Sequence, residues 1–518
     1  MAVKRKFPRS SGILLPMTAL HGPFGIGVMG KEAKEFIDFL SRSGFHAWQV
    51  LPVEQASMWC GSPYSCLSAF AGDPLLIDPR MIQEMGLITG DELFERMEGM
   101  NDAFIEYDVI RERQWKMLRT AFSRLTDEAY KEFNPFWLDA YALFISLKYD
   151  NNQEAWFNWK DEGQRNHDEK TLKVYREKLS KEIEYHKFVQ WLFDIQWQKL
   201  RCYAGEKGIS IIGDMPIYLA ADSAEVWNRR ELFEIDAKGK FIAIGGVPPD
   251  YFSPDGQRWG NPIYNWELME KENFKWWKKR LKASLSRYDV VRIDHFRGFE
   301  SYWRIPGGAK TAKRGKWVKG PGIKLFDAIK KSMGNLTLSV IAEDLGIIGK
   351  DVEKLIKDTG FRCMRVLQFG FSGDGVHLPH NFPEESVAYT GTHDNTTLLA
   401  WLYESKPTER EAALFYTNYS GDWAIGGPNS PSIKSWMHTM FMAPSSLVII
   451  PMQDILGYGS DTRINTPGTP SGNWLFRIRE GVLNEVDSGF YNALHKTYQR
   501  DDPVKSFKPR RVVKKKTR

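Results

Sequence analysis

The sequence predicts an α/β protein built on a (β/α)8 TIM barrel with inserted, mainly helical subdomains. Three observations lead there. Eight short apolar runs rich in β-branched residues recur along the 518-residue chain. Amphipathic stretches bounded by glycine separate several of them. Charged residues gather where the runs end. Apolar runs without alternation suit strands buried on both faces, as in a parallel sheet. Strand–helix alternation with eight such strands points to a barrel.

The runs, in order, begin with GILLPM (12–17) and AWQVLPV (47–53), separated by the helical pattern GKEAKEFIDFLSRSG (30–44). Residues 1–80 therefore supply barrel strands 1 and 2. The basic start followed by an apolar run imitates a signal peptide. Pro16 and His21 interrupt that run, however, and no small-residue cleavage site follows cleanly. Residues 81–209 are too long for a simple crossover and rich in helical pattern, so they read as a helical insertion subdomain. Its last helix carries Phe188, Trp191, Leu192 and Ile195 on one face and stops near Gly205–Gly208. Residues 210–500 hold the remaining strands: SIIGDMPIYL (210–219), DVVRIDHF (289–296), LSVIAEDLG (338–346), CMRVLQFGF (363–371), SVAYTGTHDN (386–395) and LVIIPMQDILG (447–457). The Gly/Pro-rich part of 220–288, with its stretch near 245–262, is expected to be a long irregular loop of the kind that usually serves function. Residues 501–518 form a basic C-terminal tail.

Composition narrows the function classes. The formal net charge of +6 falls to −1 once the seven Lys/Arg of KPRRVVKKKTR (508–518) are set aside. The body is nearly neutral and gives no reason to expect a specific nucleic-acid partner. No stretch approaches the ~20 apolar residues of a membrane span. Cys60, Cys66, Cys202 and Cys363 form no CxxC pair, so reduced thiols in the cytoplasm are expected. Aromatic residues reach 14% of the chain; most of them read as a large core, and the sharper reading is that some Trp and Tyr line a groove for flat amphipathic ligands such as sugars.

The chemistry lies at the strand ends, where barrels of this kind place their active sites. The third strand ends in Asp214, the fourth in Arg292, Asp294 and His295, the fifth in Glu343 and Asp344, the seventh in His393 and Asp394. Side-chain alternation puts Arg292 on the same side as Asp294 and turns His295 away. The guanidinium is expected to lower the Asp294 pKa and keep a candidate nucleophile ionised. Glu343, following apolar residues and beside Asp344, is expected to be raised and to serve as a general acid. Carboxylates converging from three strands suit retaining glycoside chemistry.

The segments RIDHFRGF, AEDLG and TGTHDN resemble the catalytic segments of the amylomaltases, the 4-α-glucanotransferases also called disproportionating enzymes. GDMPIYLAADSAEVW, PPDYFSPDGQRWGNP, GSPYSCLSAFAGDPLLID and NTPGTPSGNW are similar to that family too, and the resemblance runs from about residue 10 to residue 500. It implies transfer of an α-1,4-glucan segment to glucose or another glucan. It implies Asp294 as nucleophile, Glu343 as acid/base and Asp394 as the acid gripping the hydroxyls of the reacting sugar. Arg292, His393 and Asp214 would surround that sugar, and Tyr64 would stack on it. Tyr251, Phe252, Gln257 and Trp259 would lie on a loop covering the acceptor side. The chain departs from the family at Ser372, where an acid is common, at Asp255 in place of a frequent threonine, and in DTRIN (461–465).

The expected partners are α-1,4-glucans and maltooligosaccharides, without a membrane, metal or other cofactor. A retaining glucan hydrolase and a non-catalytic glucan-binding barrel are the rival readings. GIGVMG (25–30) is a literal GxGxxG, but it begins well beyond the end of the first strand and reads as a loop. HLPH (377–380) lacks the helical context and third ligand of a metal site.

Overall fold

The computed structural model describes residues 8–504, apart from 58–60, 127, 237, 250–253 and 347. Tyr251, Phe252, Cys60 and the tail from residue 505 lie outside the described residues. Eight parallel strands follow the predicted runs: β1 (Ser10–Leu14), β2 (Ala47–Gln49), β3 (Ser210–Pro216), β4 (Val290–Asp294), β5 (Val340–Ala342), β6 (Cys363–Val366), β7 (Ser386–Tyr389) and β8 (Leu447–Pro451). From β1 to β5 and from β6 to β8 each is hydrogen-bonded to the next, and β8 returns to β1. Between β5 and β6 the cylinder closes through a parallel bridge of Ile341 with Arg362, where Ala342 N–H donates to Arg362 O at 2.8 Å. The strands are shorter than the apolar runs.

Alternation sorts the strand residues into two shells. Val290, Ile212, Ile341, Val387 and Leu447 share one buried cluster inside the cylinder. Val291, Ile293, Ile211 and Val340 face the surrounding helices. Two residues up from Val290 and Ile212, the same inward face carries Arg292 and Asp214, which are partners in the β3–β4 register. The lumen is thus apolar below and ionic above.

The helices Lys31–Arg42 and Ile323–Met333 occupy the predicted crossovers. Between residues 81 and 209 the chain forms Gly90–Met97, Tyr107–Ser123, Leu138–Asp150, Glu169–Lys178 and Ser180–Glu206. The last of these is stapled to the segment after β2. Gln190 accepts from Gly72 N–H at 2.8 Å and donates to Gly72 O at 2.9 Å. A side chain on Gly72 would collide with the Phe193 ring. This contact fixes the loop that carries Tyr64. GIGVMG also serves packing, since a Cβ on Gly27 would strike the Met17 carbonyl.

The expected irregular stretch is partly ordered into sheet. Strands Gln257–Pro262, Ala243–Val247, Ser301–Pro306 and Lys316–Lys319 form an antiparallel sheet in that spatial order. Two strands come from the β3–β4 connection and two from the β4–β5 connection. The sheet stands over the rim beside Asp294. No helix among the described residues is long and apolar enough to cross a membrane.

Candidate active site

An open cleft of about 1080 Å³ lies at the C-terminal ends of the strands. Tyr64, Gln257, Trp259, Asp294, His295, His393 and Asp394 line it, together with the loop from Asn465 to Leu475. Asp294 ends β4 with its side chain 31% exposed. Arg292, itself buried, donates from Nη2 to Asp294 Oδ1 at 2.9 Å. Its Nη1 reaches both oxygens of Asp214, at 2.8 and 2.6 Å. A buried guanidinium between two carboxylates is paired on both sides, which is what a charge inside a barrel requires. Tyr64 O–H donates to Asp214 Oδ2 at 2.6 Å and its ring stacks on His393, with centroids 5.2 Å apart.

Glu343 follows β5 directly, and its backbone continues the β4–β5 ladder. Its N–H donates to Ile293 O and its C=O accepts from Phe296 N–H, both at 3.1 Å. Its carboxyl turns toward the end of β4. There Oε2 accepts from the N–H of His295 at 2.6 Å, while Oε1 accepts from Leu345 N–H at 2.7 Å. Glu343 is only 8% exposed. Burial, reinforced by the nearby Asp294 charge, pushes its pKa up to about 8. The two amide bonds oppose this shift, since they favour the ionised form, and are outweighed.

Two expectations need correction. The Asp294 pKa is raised rather than lowered, because burial outweighs the Arg292 guanidinium. The ion pair still distinguishes the two carboxyls. Arg292 bonds Asp294 and not Glu343, so the cation favours the ionised form of Asp294 more directly than that of Glu343. His295 does not turn away as strand alternation predicts. The strand ends at Asp294, and His295 takes a left-handed backbone with φ 51°. Its ring then lines the cleft edge-on to Trp259, with centroids 4.8 Å apart. Burial holds its pKa down, near about 3, so it is neutral.

Asp394 sits on the turn after β7, where its N–H donates to Thr392 Oγ1 at 3.2 Å. Its side chain is 45% exposed and faces His393 Nε2 at 3.4 Å. Asn465 Nδ2 donates to Asp394 Oδ1 at 2.6 Å. On the opposite wall, Trp259 Nε1 donates to Gln257 Oε1 at 3.1 Å. The structure thus brings together Asp294, Glu343, Asp394, Arg292, Asp214, Tyr64, His393, Gln257 and Trp259. Asn465, Trp474 and His295 belong to the same cleft but carry no role in the sequence reading. Asn465 and Trp474 bound the segment NTPGTPSGNW, and that was the available signal.

Among the described residues no group of three or more His, Cys, Asp or Glu is placed to hold a metal ion. In HLPH, His377 Nδ1 accepts from Val366 N–H at 3.0 Å and His380 bonds Tyr416 O–H at 2.8 Å, so both histidines have structural partners.

A family model described as 4-alpha-glucanotransferase matches residues 15–483. A 4-alpha-glucanotransferase of Thermus thermophilus is 41% identical over 511 residues, covering 96% of this chain and all of that protein. One from Clostridium butyricum is 41% identical over 487 residues, covering 92% and 98% of the two chains. The solved amylomaltase of Streptococcus agalactiae, in complex with acarbose, superposes with a TM-score of 0.90 at 38% identity, covering 95% of this chain and 99% of that one. The chain belongs to the 4-alpha-glucanotransferase family.

Proposed function

We propose that this enzyme carries out 4-α-glucan transfer by retaining double displacement, with Asp294 as nucleophile and Glu343 as acid/base. The observation that carries the assignment is the different setting of two neighbouring carboxyls: Arg292 bonds Asp294 at 2.9 Å, while the buried Glu343 carboxyl accepts from the backbone amides of His295 and Leu345 and is raised to about 8. Environments that push two carboxyls apart define an acid and a base.

An Asp294 oxygen attacks the anomeric carbon of a bound α-1,4-glucan. The glycosidic C–O bond breaks, and the Glu343 proton passes to the departing 4-oxygen. Esterification then removes the Asp294 charge. The negative neighbour that raised Glu343 is gone, so Glu343 is more readily ionised for the second step. Glu343 takes the proton from the 4-hydroxyl of an acceptor, that oxygen attacks the anomeric carbon, and Asp294 leaves with the α configuration restored. Asp394, His393, Tyr64, Asp214 and Arg292 surround the reacting sugar. Trp259 and Gln257 hold the acceptor side. An acceptor bound there gains effective concentration over water, which favours transfer over hydrolysis.

The substrates are α-1,4-glucans and maltooligosaccharides, met in the cytoplasm. Incubation with maltotriose followed by mass spectrometry tests the reading. Glucose together with longer oligosaccharides is expected. Shorter sugars alone would mean a hydrolase, and no turnover a binding protein.

A further inference from the structure

The loop from residue 465 to 474 touches the reacting-sugar site at both of its ends. Trp474 N–H closes its base on Ile464 O at 2.7 Å, and Asn473 Oδ1 accepts from Thr466 N–H at 2.8 Å. At one end the Trp474 ring lies 6.0 Å from both His393 and Tyr64. At the other end Asn465 makes a closer contact. Its N–H donates to His393 O at 3.2 Å, and its side-chain amide donates to Asp394 Oδ1 at 2.6 Å. Arg463 locks that end, donating to Asp394 O at 2.5 Å and to Asn465 O at 2.8 Å.

We propose that Asn465 is a positioning residue. Its amide holds Asp394 in the orientation that grips the reacting sugar, and so couples the cleft-lining 465–474 loop to catalysis. This rests on the role given to Asp394 above. Asp394 is 45% exposed, and its carboxylate alone could swing into solvent. His393 Nε2, at 3.4 Å, approaches the same oxygen less closely than the amide does, and Arg463 holds the Asp394 carbonyl rather than its carboxylate. The Asn465 amide thus fixes Oδ1 and leaves Oδ2 free for sugar hydroxyls.

The decisive variant is Asn465→Asp. It keeps the shape but turns a donor into an acceptor facing Asp394. The other charged or titratable groups acting there are His393, Arg463, Asp294 and Tyr64. Two carboxylates at hydrogen-bond distance share one proton, and one of them titrates well above its usual range. The shared proton restores the bond at low pH and is lost at high pH.

The assay is maltotriose disproportionation from pH 5.5 to 8.5, with thermal unfolding measured on each protein. A hydrogen bond to a charged group is worth about 1.5–3 kcal/mol, so Asn465→Ala should lower kcat about 10- to 100-fold at every pH with little change in KM. The kcat of Asn465→Asp relative to the parent should rise at least about tenfold from pH 8.5 to pH 5.5. A folded Asn465→Asp enzyme whose relative kcat does not change with pH overturns the proposal, as does an Asn465→Ala enzyme with unchanged kcat. Asp394→Asn serves as the control. If it keeps full activity, the role given to Asp394 fails. If it is inactive while both Asn465 variants behave like the parent, only the positioning role fails.

Discussion

The Glu343 proton is the part of the mechanism most open to direct attack. Lifting its pKa from 4.5 to about 8 corresponds to about 5 kcal/mol between its two protonation states. The causes are burial first and the Asp294 charge second. With that pKa the acid is about nine-tenths protonated at pH 7 and about one-tenth at pH 9, so kcat/KM for maltotriose should fall about tenfold across that interval. Glu343→Gln cannot donate at all and should lose a factor of about 10²–10⁴ with maltotriose. A donor whose leaving group needs no proton, such as α-maltosyl fluoride, should still glycosylate Asp294 in that variant, and trapping by azide would reveal it. A kcat/KM that stays flat to pH 9.5, or equal losses with maltotriose and the fluoride, would refute the assignment of Glu343 as the proton donor.

Four further outcomes follow from the same geometry. Glu343→Gln should be more stable than the parent at high pH. A folded-state pKa raised above the unfolded 4.5 makes ionisation costly in the fold, so the gain in Tm should be small near pH 4.5 and grow as pH rises toward 9. Arg292→Met takes the guanidinium away from buried Asp214 and partly exposed Asp294. It should cost about 3–5 kcal/mol of stability by chemical denaturation and abolish transfer at neutral pH. Trp259→Ala removes a cleft wall on the proposed acceptor side and should raise the share of maltotriose that is hydrolysed, read as the ratio of reducing ends formed to glucose released. His495, buried against Ser11 at the base of the barrel, has its pKa pulled down to about 4 by burial. Its stabilising contribution is complete above pH 6.5 and is lost as pH falls through 4, an effect of about 3 kcal/mol. His495→Gln should flatten the Tm profile between those values.

The barrel was legible because Val290, Val291 and Ile293, and their counterparts on seven other strands, are apolar on both faces, a pattern that only a closed or covered parallel sheet satisfies. The acids at the strand ends were legible for the same reason, as charge interrupting such runs. The antiparallel sheet was not. AIGGV and QRWGNP, two of its strands, are rich in glycine and proline and look like loop until AIGGV pairs with QRWGNP on one side and with Ser301–Pro306, from beyond β4, on the other. The sign of the Asp294 shift was missed because its cation lies two residues away in sequence, while its burial depends on the whole rim. The His295 conformation depends on one left-handed residue that alternation cannot foresee. Asn465 meets Asp394 across 71 residues of sequence, and nothing local announces that contact.

The four-stranded sheet over the rim is assembled from two separate connections, one before β4 and one after it. Trp259 is therefore mounted on a platform whose other half is contiguous with the nucleophile's own strand. Neither half can be traded alone, because each supplies the other's backbone partners. The strands Ala243–Val247, Gln257–Pro262, Ser301–Pro306 and Lys316–Lys319 form a single unit to be exchanged together. On the acceptor role proposed for Trp259, transplanting both halves together is expected to change acceptor choice while the cylinder beneath keeps its register.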